Sequence, residues 1–138
     1  MILGIGIDIV EIARIQASIE RHGSRFLKKI FTTGEEGYCT DYARPSERFA
    51  TRFAAKEAAM KALGTGWRDG VGFRSIEVTS DEKGAPALHF SGRVQTRARR
   101  LGVRRVFVTL SHSDHYAVAQ VILEGEDLPC PPAENEIA

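Results

Sequence analysis

Cysteine is nearly absent from these 138 residues. Only Cys39 and Cys130 occur, at no metal-ligand spacing, and Cys130 lies in a proline-rich stretch. That excludes a disulfide-stapled scaffold and a cysteine-ligated zinc cluster, and it predicts reduced thiols in a cytoplasmic protein. Long apolar runs are missing too. The opening ILGIGIDIV is too short to span a bilayer, contains Asp8 and lacks the basic residues that begin a signal peptide. No membrane partner is therefore expected. No repeat and no linker divides the chain, which predicts one domain over residues 1–123. Nor is there a large excess of charge, since the net value is +1. The balance hides an asymmetry. Glu124, Glu126, Asp127, Glu134 and Glu136 fall where there is no Lys or Arg, so residues 1–123 hold all 19 basic groups against 13 acidic ones. A basic body suits a phosphate-rich or acidic partner. Residues 124–138, with three prolines and little to bury, are expected to be disordered.

What the chain does have is clear periodicity. Met1–Val10 sets Leu3, Ile5, Ile7 and Ile9 on one side of a strand and Gly4, Gly6, Asp8 and Val10 on the other. Ile12, Ile15 and Ile19 then recur at helical spacing over Glu11–His22, opposite a stripe of Arg14, Ser18 and Arg21 that Arg25 extends. His22-Gly23-Ser24 breaks this helix, a short helical piece follows through Ile30, and Thr32 or Thr33 with Glu35 and Glu36 marks a further N-terminus. Pro45 begins the longest helix, which Gly64 ends. Two strands meet at an Asp81–Pro86 turn, Ser91–Leu101 is an arginine-rich helix, and two apolar runs flank SHSDH as a closing hairpin. The predicted order is βαααββαββ, an α+β domain with helices packed on an antiparallel sheet.

Three groups of residues bear chemistry. Glu57 and Lys61 share a helix face one turn apart, and by themselves make a solvated ion pair worth a few tenths of a kcal/mol. Asp8 alters that weighing, because a carboxylate in an otherwise apolar strand is costly to bury unless paired or metal-bound. The glycines beside it leave room for something to come close. Two lone carboxylates from separate elements suit Mg²⁺, which completes its octahedron with water and phosphate, and a lysine one turn away can hold a phosphate oxygen. In SHSDH, Ser111, His112 and Asp114 are hydrolase residue types, but neighbours on an extended backbone point to opposite faces and cannot converge as a triad. His112 is then either the end of a polar turn or an anion-binding group. The arginines from Arg93 to Arg105 can contact phosphates, yet no aromatics are interleaved for stacking and no nucleic-acid motif accompanies them. A solvated helix face is the expectation there, with no nucleic-acid partner.

Three blocks stand in order: GIGIDIVEIARI, RFAAKEAAMKALGTG and VTLSHSDHYAVAQV. Together, over residues 1–123, they resemble the holo-acyl carrier protein synthases, the small phosphopantetheinyl transferases of fatty-acid synthesis. The resemblance implies that Asp8 and Glu57 hold Mg²⁺ against the diphosphate of coenzyme A, with Lys61 on the transferring phosphoryl group. Arg52 and Lys56 would add positive charge around the nucleotide, and Gly64, Thr65 and Gly66 would form a backbone wall of its pocket. His112 matches the family histidine that meets the 3′-phosphate, and Gly84 and Pro86 match a turn near the adenine. Arg14, Arg21 and Arg25 match the surface that receives the acidic acyl carrier protein. A homotrimer with sites at subunit boundaries is implied as well. One departure concerns the general base. Where family members often carry Asp directly after the histidine, this chain has Ser113, with Asp114 one place later. Glu57, Lys61 and a metal-bound water stay open for that role. Two rival classes fit parts of the pattern: a Mg²⁺-dependent phosphodiesterase acting on coenzyme A-like substrates, and a basic nucleic-acid-binding module.

Overall fold

The computed structural model describes residues 1–65 and 72–127. Strand β1 (Ile2–Glu11) leads into four helices, α1 (Ile12–His22), α2 (Ser24–Ile30), α3 (Thr33–Thr40) and α4 (Pro45–Leu63). A 3₁₀ turn (Phe73–Ser75) precedes β2 (Ile76–Ser80) and β3 (Pro86–Phe90), and α5 (Gly92–Leu101), β4 (Arg105–His112) and β5 (Tyr116–Glu124) complete the domain. The order carries one helix more than predicted, because the short piece after Gly23 stands as an element of its own. Gly23 has a positive φ of 53°, which turns the chain between α1 and α2 at little steric cost.

Two antiparallel sheets result. β5 lies between β1 and β4 in the larger one, with Asp8 opposite Ala119 and Leu110 opposite Ala119 from the other side. β2 and β3 form a separate hairpin, whose turn is held by Asp81 accepting from the N–H groups of Lys83 and Ala85. Helix α4 crosses the larger sheet. Its alanines at 50, 54, 55, 58, 59 and 62 are all buried, so the helix is thin enough for the sheet to approach its backbone. A Cβ on Gly4 or Gly6 would overlap the carbonyls of Ala62 or Ala58. What the sequence presented as room for a ligand is thus filled by α4 itself. This corrects the expectation: the glycines admit a helix.

The face of β1 pared down to Gly4, Gly6 and Asp8 therefore packs inward, and the isoleucine face looks out. Ile5, Ile7 and Ile9 are 57%, 58% and 64% exposed, and Phe107 of β4 is 46% exposed on the same side of the sheet. The core lies on the other side, between α4, the inner face of β5 (Ala117, Ala119, Val121, Leu123) and the shorter helices.

The boundary expected after residue 123 falls later. Glu124 ends β5, the N–H of Gly125 donates to the Met1 carbonyl, and Glu126 pairs with Arg104. Asp127 accepts from the amino terminus at 2.8 Å. The first four residues of the predicted tail are thus tied to the sheet, and residues 128–138, with Cys130, lie outside the described ones. No described helix is long and apolar enough to cross a membrane.

Candidate active site

Asp8 reaches its place because the even positions of β1 face α4. There the Lys61 ammonium donates to Asp8 Oδ1 at 3.1 Å and to the Ile7 carbonyl at 3.0 Å. Glu57, one turn back along α4, completes the group. Burial pushes its carboxyl pKa above the ordinary range, the Asp8 charge adds to that, and the Lys61 charge opposes it. Two carboxylates in a half-buried place with one lysine for compensation form a site with negative charge to spare. Among the described residues, no group of three or more His, Cys, Asp and Glu side chains is placed to hold a metal. A pair of hard oxygen donors nonetheless fits Mg²⁺, which needs only one or two protein carboxylates.

Lys56 does not stand where the sequence reading put it. It is fully buried, its ammonium donating to Glu35 at 2.7 Å and to the backbone carbonyls of Phe73 and Ile76. All three N–H bonds are spent inside the fold, so none is left for a nucleotide. Glu35 is equally committed: it forms the capping box of α3 with Thr32 and accepts from the N–H of Val78. Burial drives the Lys56 pKa down against the opposing pull of Glu35. The pair fastens α3 and the start of β2 to α4, and nothing in the sequence spacing distinguished this lysine from a surface one.

A second group of residues gathers elsewhere. Arg52, Gly84, Pro86 and His112 line one cleft of about 130 Å³, together with Tyr38 and Arg48. Arg52 donates to Thr51 Oγ1 and Ser80 Oγ, both at 3.0 Å, and its guanidinium lies 4.4 Å from the centre of the Tyr38 ring. Its Nε is buried without a hydrogen-bond partner. His112 Nδ1 is 3.9 Å from Glu47 Oε2. Arg48 was not singled out in the sequence, although its place one turn before Arg52 is a signal that could have found it. Tyr38 carried no signal, since it arrives from α3. Burial pushes its phenol up, but hydrogen bonds to Tyr42 and Ser80 and the charges of Arg52 and Arg48 outweigh this, and the net shift is downward. The cleft is strongly electropositive.

The other predicted residues are placed as follows. Gly64 caps α4 in the left-handed conformation (φ 69°), its N–H on the Lys61 carbonyl, and the N–H of Thr65 meets the Met60 carbonyl. Gly66 lies outside the described residues. Arg14 and Arg21 are exposed on α1, and Arg25 is exposed on α2, past the Gly23 break. In SHSDH, Ser113 Oγ accepts from the N–H groups of His115 and Tyr116, which makes it a turn residue. Cys39 is buried, which pushes its thiol up to about 12 and leaves it unreactive.

The two groups sit on different sides of α4. Arg52 and Lys61 are nine residues apart, about two and a half helical turns, so their side chains leave the helix in opposite directions.

The fold and its motif-bearing helix belong to a known class: the chain is a member of the 4′-phosphopantetheinyl transferase superfamily, whose model matches residues 4–121. The holo-[acyl-carrier-protein] synthase of Koribacter versatilis is 54% identical over 124 residues, 90% of this chain and 99% of that one. The crystal structure of the Neisseria meningitidis holo-[acyl-carrier-protein] synthase superposes with a TM-score of 0.82 at 35% identity, covering 90% of this chain and 99% of the other. That of the Bacillus anthracis synthase, in complex with CoA (3′,5′-ADP), does so at 0.76 and 40% identity, covering 91% and 99%. Within the superfamily, the chain thus falls among the holo-[acyl-carrier-protein] synthases.

Proposed function

We infer that this chain transfers the 4′-phosphopantetheine group of coenzyme A to a serine of acyl carrier protein, releasing 3′,5′-ADP, as a cytoplasmic enzyme of fatty-acid synthesis. The observation that carries the reading is the meeting of Asp8, Glu57 and Lys61 from β1 and α4. In the reaction the serine hydroxyl gives up its proton to a base, for which Glu57 and Lys61 are candidates, and its oxygen bonds to the β-phosphorus of coenzyme A as the bond from that phosphorus to the bridging oxygen breaks. The electrons of that bond leave with 3′,5′-ADP. A protein serves such a transfer chiefly by placing the partners and balancing charge. Lys61 can swing from Asp8 to the transferring phosphoryl group, where its ammonium offsets charge on the equatorial oxygens. Asp8 and Glu57 would hold Mg²⁺, which when bound neutralises the diphosphate. Arg52, Arg48 and His112 offer the cleft for the remainder of the nucleotide, with Gly84 and Pro86 at its rim.

On a single chain the two groups leave α4 in opposite directions, so we assign them to different sites rather than to one. The exposed isoleucine face supports the resolution. Ile5, Ile7, Ile9 and Phe107 make an apolar sheet surface of the kind that marks an interface. We assign it to contact between copies in a homotrimer, each site being built from the carboxylates of one copy and the cleft of its neighbour. The carrier protein, an acidic partner, would dock on Arg14, Arg21 and Arg25, where opposite charge speeds and orients encounter.

The deciding experiment is mass spectrometry of an acyl carrier protein incubated with the protein, coenzyme A and Mg²⁺. The expected product is carrier heavier by one phosphopantetheine, with 3′,5′-ADP in equal amount. Coenzyme A broken down without change in the carrier would point to a phosphodiesterase and overturn the reading.

A further inference from the structure

Tyr38 and Tyr42 stand at the cleft lined by Arg52, Arg48 and His112, and the proposed reaction gives neither of them a part. Cζ of Arg48 lies 4.1 Å from the centre of the Tyr42 ring, and Cζ of Arg52 lies 4.4 Å from that of Tyr38. The two rings are 5.1 Å apart, and the Tyr42 hydroxyl donates to the Tyr38 oxygen at 2.8 Å. Arg48 and Arg52 are themselves one turn apart on α4. Two arginine–tyrosine stacks thus stand side by side, joined through their phenols. A second tie runs through Ser80, which accepts from Arg52 Nη2 and is hydrogen-bonded to the Tyr38 phenol.

The charges in this arrangement are out of balance. Arg52 is buried, and its Nε has no hydrogen-bond partner. Among the described residues, no carboxylate lies within ion-pair reach of Arg52 or Arg48. Glu47, next to Arg48 in sequence, is turned to Arg44 and His112 instead. Two guanidiniums one turn apart on a helix face repel each other, and a buried cation without a counter-charge is costly. The ring faces offset part of that cost, because their quadrupoles attract a cation, but they supply no net negative charge. An anion in the cleft completes the balance. A phosphomonoester, with close to two negative charges, matches two guanidiniums. The rings also set how the arginines wait for it. An arginine free in water gives up rotamer freedom on binding, whereas one already stacked on a ring has less to lose.

We propose that Tyr38 and Tyr42 are positioning residues that hold Arg52 and Arg48 as a paired clamp for the 3′-phosphate of coenzyme A, with His112 as a third contact in the same cleft. The assignment rests on the nucleotide reading of that cleft made above. Tyr38 lines the cleft and Tyr42 does not, so any effect of Tyr42 on the ligand passes through Arg48 and Tyr38. Substitutions at Tyr42 therefore separate positioning from contact, and the side chain is exposed, so its removal spares the core.

The test uses the full-length protein with Tyr42→Leu, Tyr42→Phe and Tyr38→Phe. Binding of coenzyme A and of 3′-dephospho-coenzyme A is measured by calorimetry in the presence of Mg²⁺, with melting temperatures and transfer to carrier alongside. Wild type is expected to prefer coenzyme A. Tyr42→Leu removes the ring beneath Arg48 and should weaken coenzyme A by a factor of about ten, with 3′-dephospho-coenzyme A changed by less than about two. Tyr42→Phe keeps the ring and should stay within about threefold of wild type. Tyr38→Phe, which cuts the ties to Tyr42 and Ser80, should cost about threefold, again for coenzyme A alone. In transfer, the loss should appear in KM more than in kcat. Tyr42→Leu or Tyr38→Phe protein that keeps the full wild-type preference would overturn the proposal and leave the tyrosines as packing between α3 and α4. Wild type that binds both donors alike would overturn it too, since the cleft would then hold no 3′-phosphate. Wild type that shows the preference but transfers nothing to carrier would count against the inferred reaction alone, and the affinities would still decide the role of the tyrosines.

Discussion

Gly6 of β1 lies directly beneath the carbonyl of Ala58 on α4, so close that a methyl group on the glycine would overlap it. This contact sets the depth at which Asp8 meets Glu57 and Lys61. Gly6→Ala must push the helix away from the strand, and overpacking of this kind costs about 1–3 kcal/mol. The expected outcome is a lowered melting temperature together with a fall in Mg²⁺-dependent transfer. Unchanged stability and activity would show that α4 can shift without disturbing the carboxylates.

Glu57 yields a prediction with a definite sign. Its folded pKa is raised, so above that pKa the ionised carboxylate is a burden on the fold, and the burden disappears as pH falls below the ordinary carboxylate value. Glu57→Gln should therefore be at least as stable as wild type at neutral pH, with the difference shrinking in acid, while transfer is nearly abolished. Thermal melts across pH 4 to 8, paired with activity, check both halves. Asp8→Asn should lose transfer in the same way. A Glu57→Gln protein that keeps its Mg²⁺ dependence would remove Glu57 from the site.

Lys56 is expected to behave as a structural residue. Lys56→Met leaves Glu35 buried without its counter-charge, a change that costs about 3–5 kcal/mol. Adding Glu35→Gln should recover part of the loss, since the stranded charge is gone. Chemical denaturation of both variants measures this. A Lys56→Met protein of normal stability but weakened coenzyme A binding would restore the nucleotide role expected from sequence.

His112 separates a turn residue from a phosphate contact. His112→Ala should lower kcat/KM with coenzyme A by about one to two decades, the worth of roughly 1.5–3 kcal/mol for a hydrogen bond to a charged group. With 3′-dephospho-coenzyme A, the same substitution should change little, because the contact is already missing. A mutant that keeps the full wild-type preference would leave the 3′-phosphate to Arg52 and Arg48.

Ile7 tests the assembly. Ile7→Asp places a charge in the middle of the exposed apolar face, where it is tolerated in a single chain and costly in an interface. If the proposed trimer forms through this face, light scattering should report its loss, and transfer should fall with it, since each site would lose half of its residues. A trimeric or fully active Ile7→Asp protein would place the interface elsewhere.

How much of this was legible beforehand depends on how local the physics is. Alternation in β1, the spacing of Ile12, Ile15 and Ile19, Pro45 at the start of α4 and Gly64 at its end are properties of neighbours in sequence, and each element fell where these signals put it. The i, i+4 relation of Glu57 and Lys61 is equally local, because any helix puts those side chains on one face. The direction in which each face would look was not local. Glycine beside a carboxylate reads the same whether the space admits a ligand or a helix, and only the packing of α4 showed which it is. Lys56 and Lys61 are both lysines on the same helix. What separates them is Glu35 and two carbonyls arriving from α3 and the segment before β2. Tyr38 joins Arg52 by the same route, and Arg97 reaches α4 from a helix more than thirty residues later. By itself the sequence determined the elements and the residue types that bear the chemistry, because periodicity and capping act within a turn or two of chain. Tertiary structure alone decided which charges are consumed in the fold and which are left for a ligand, because pairing partners for a buried or anchored cation come from wherever the chain returns.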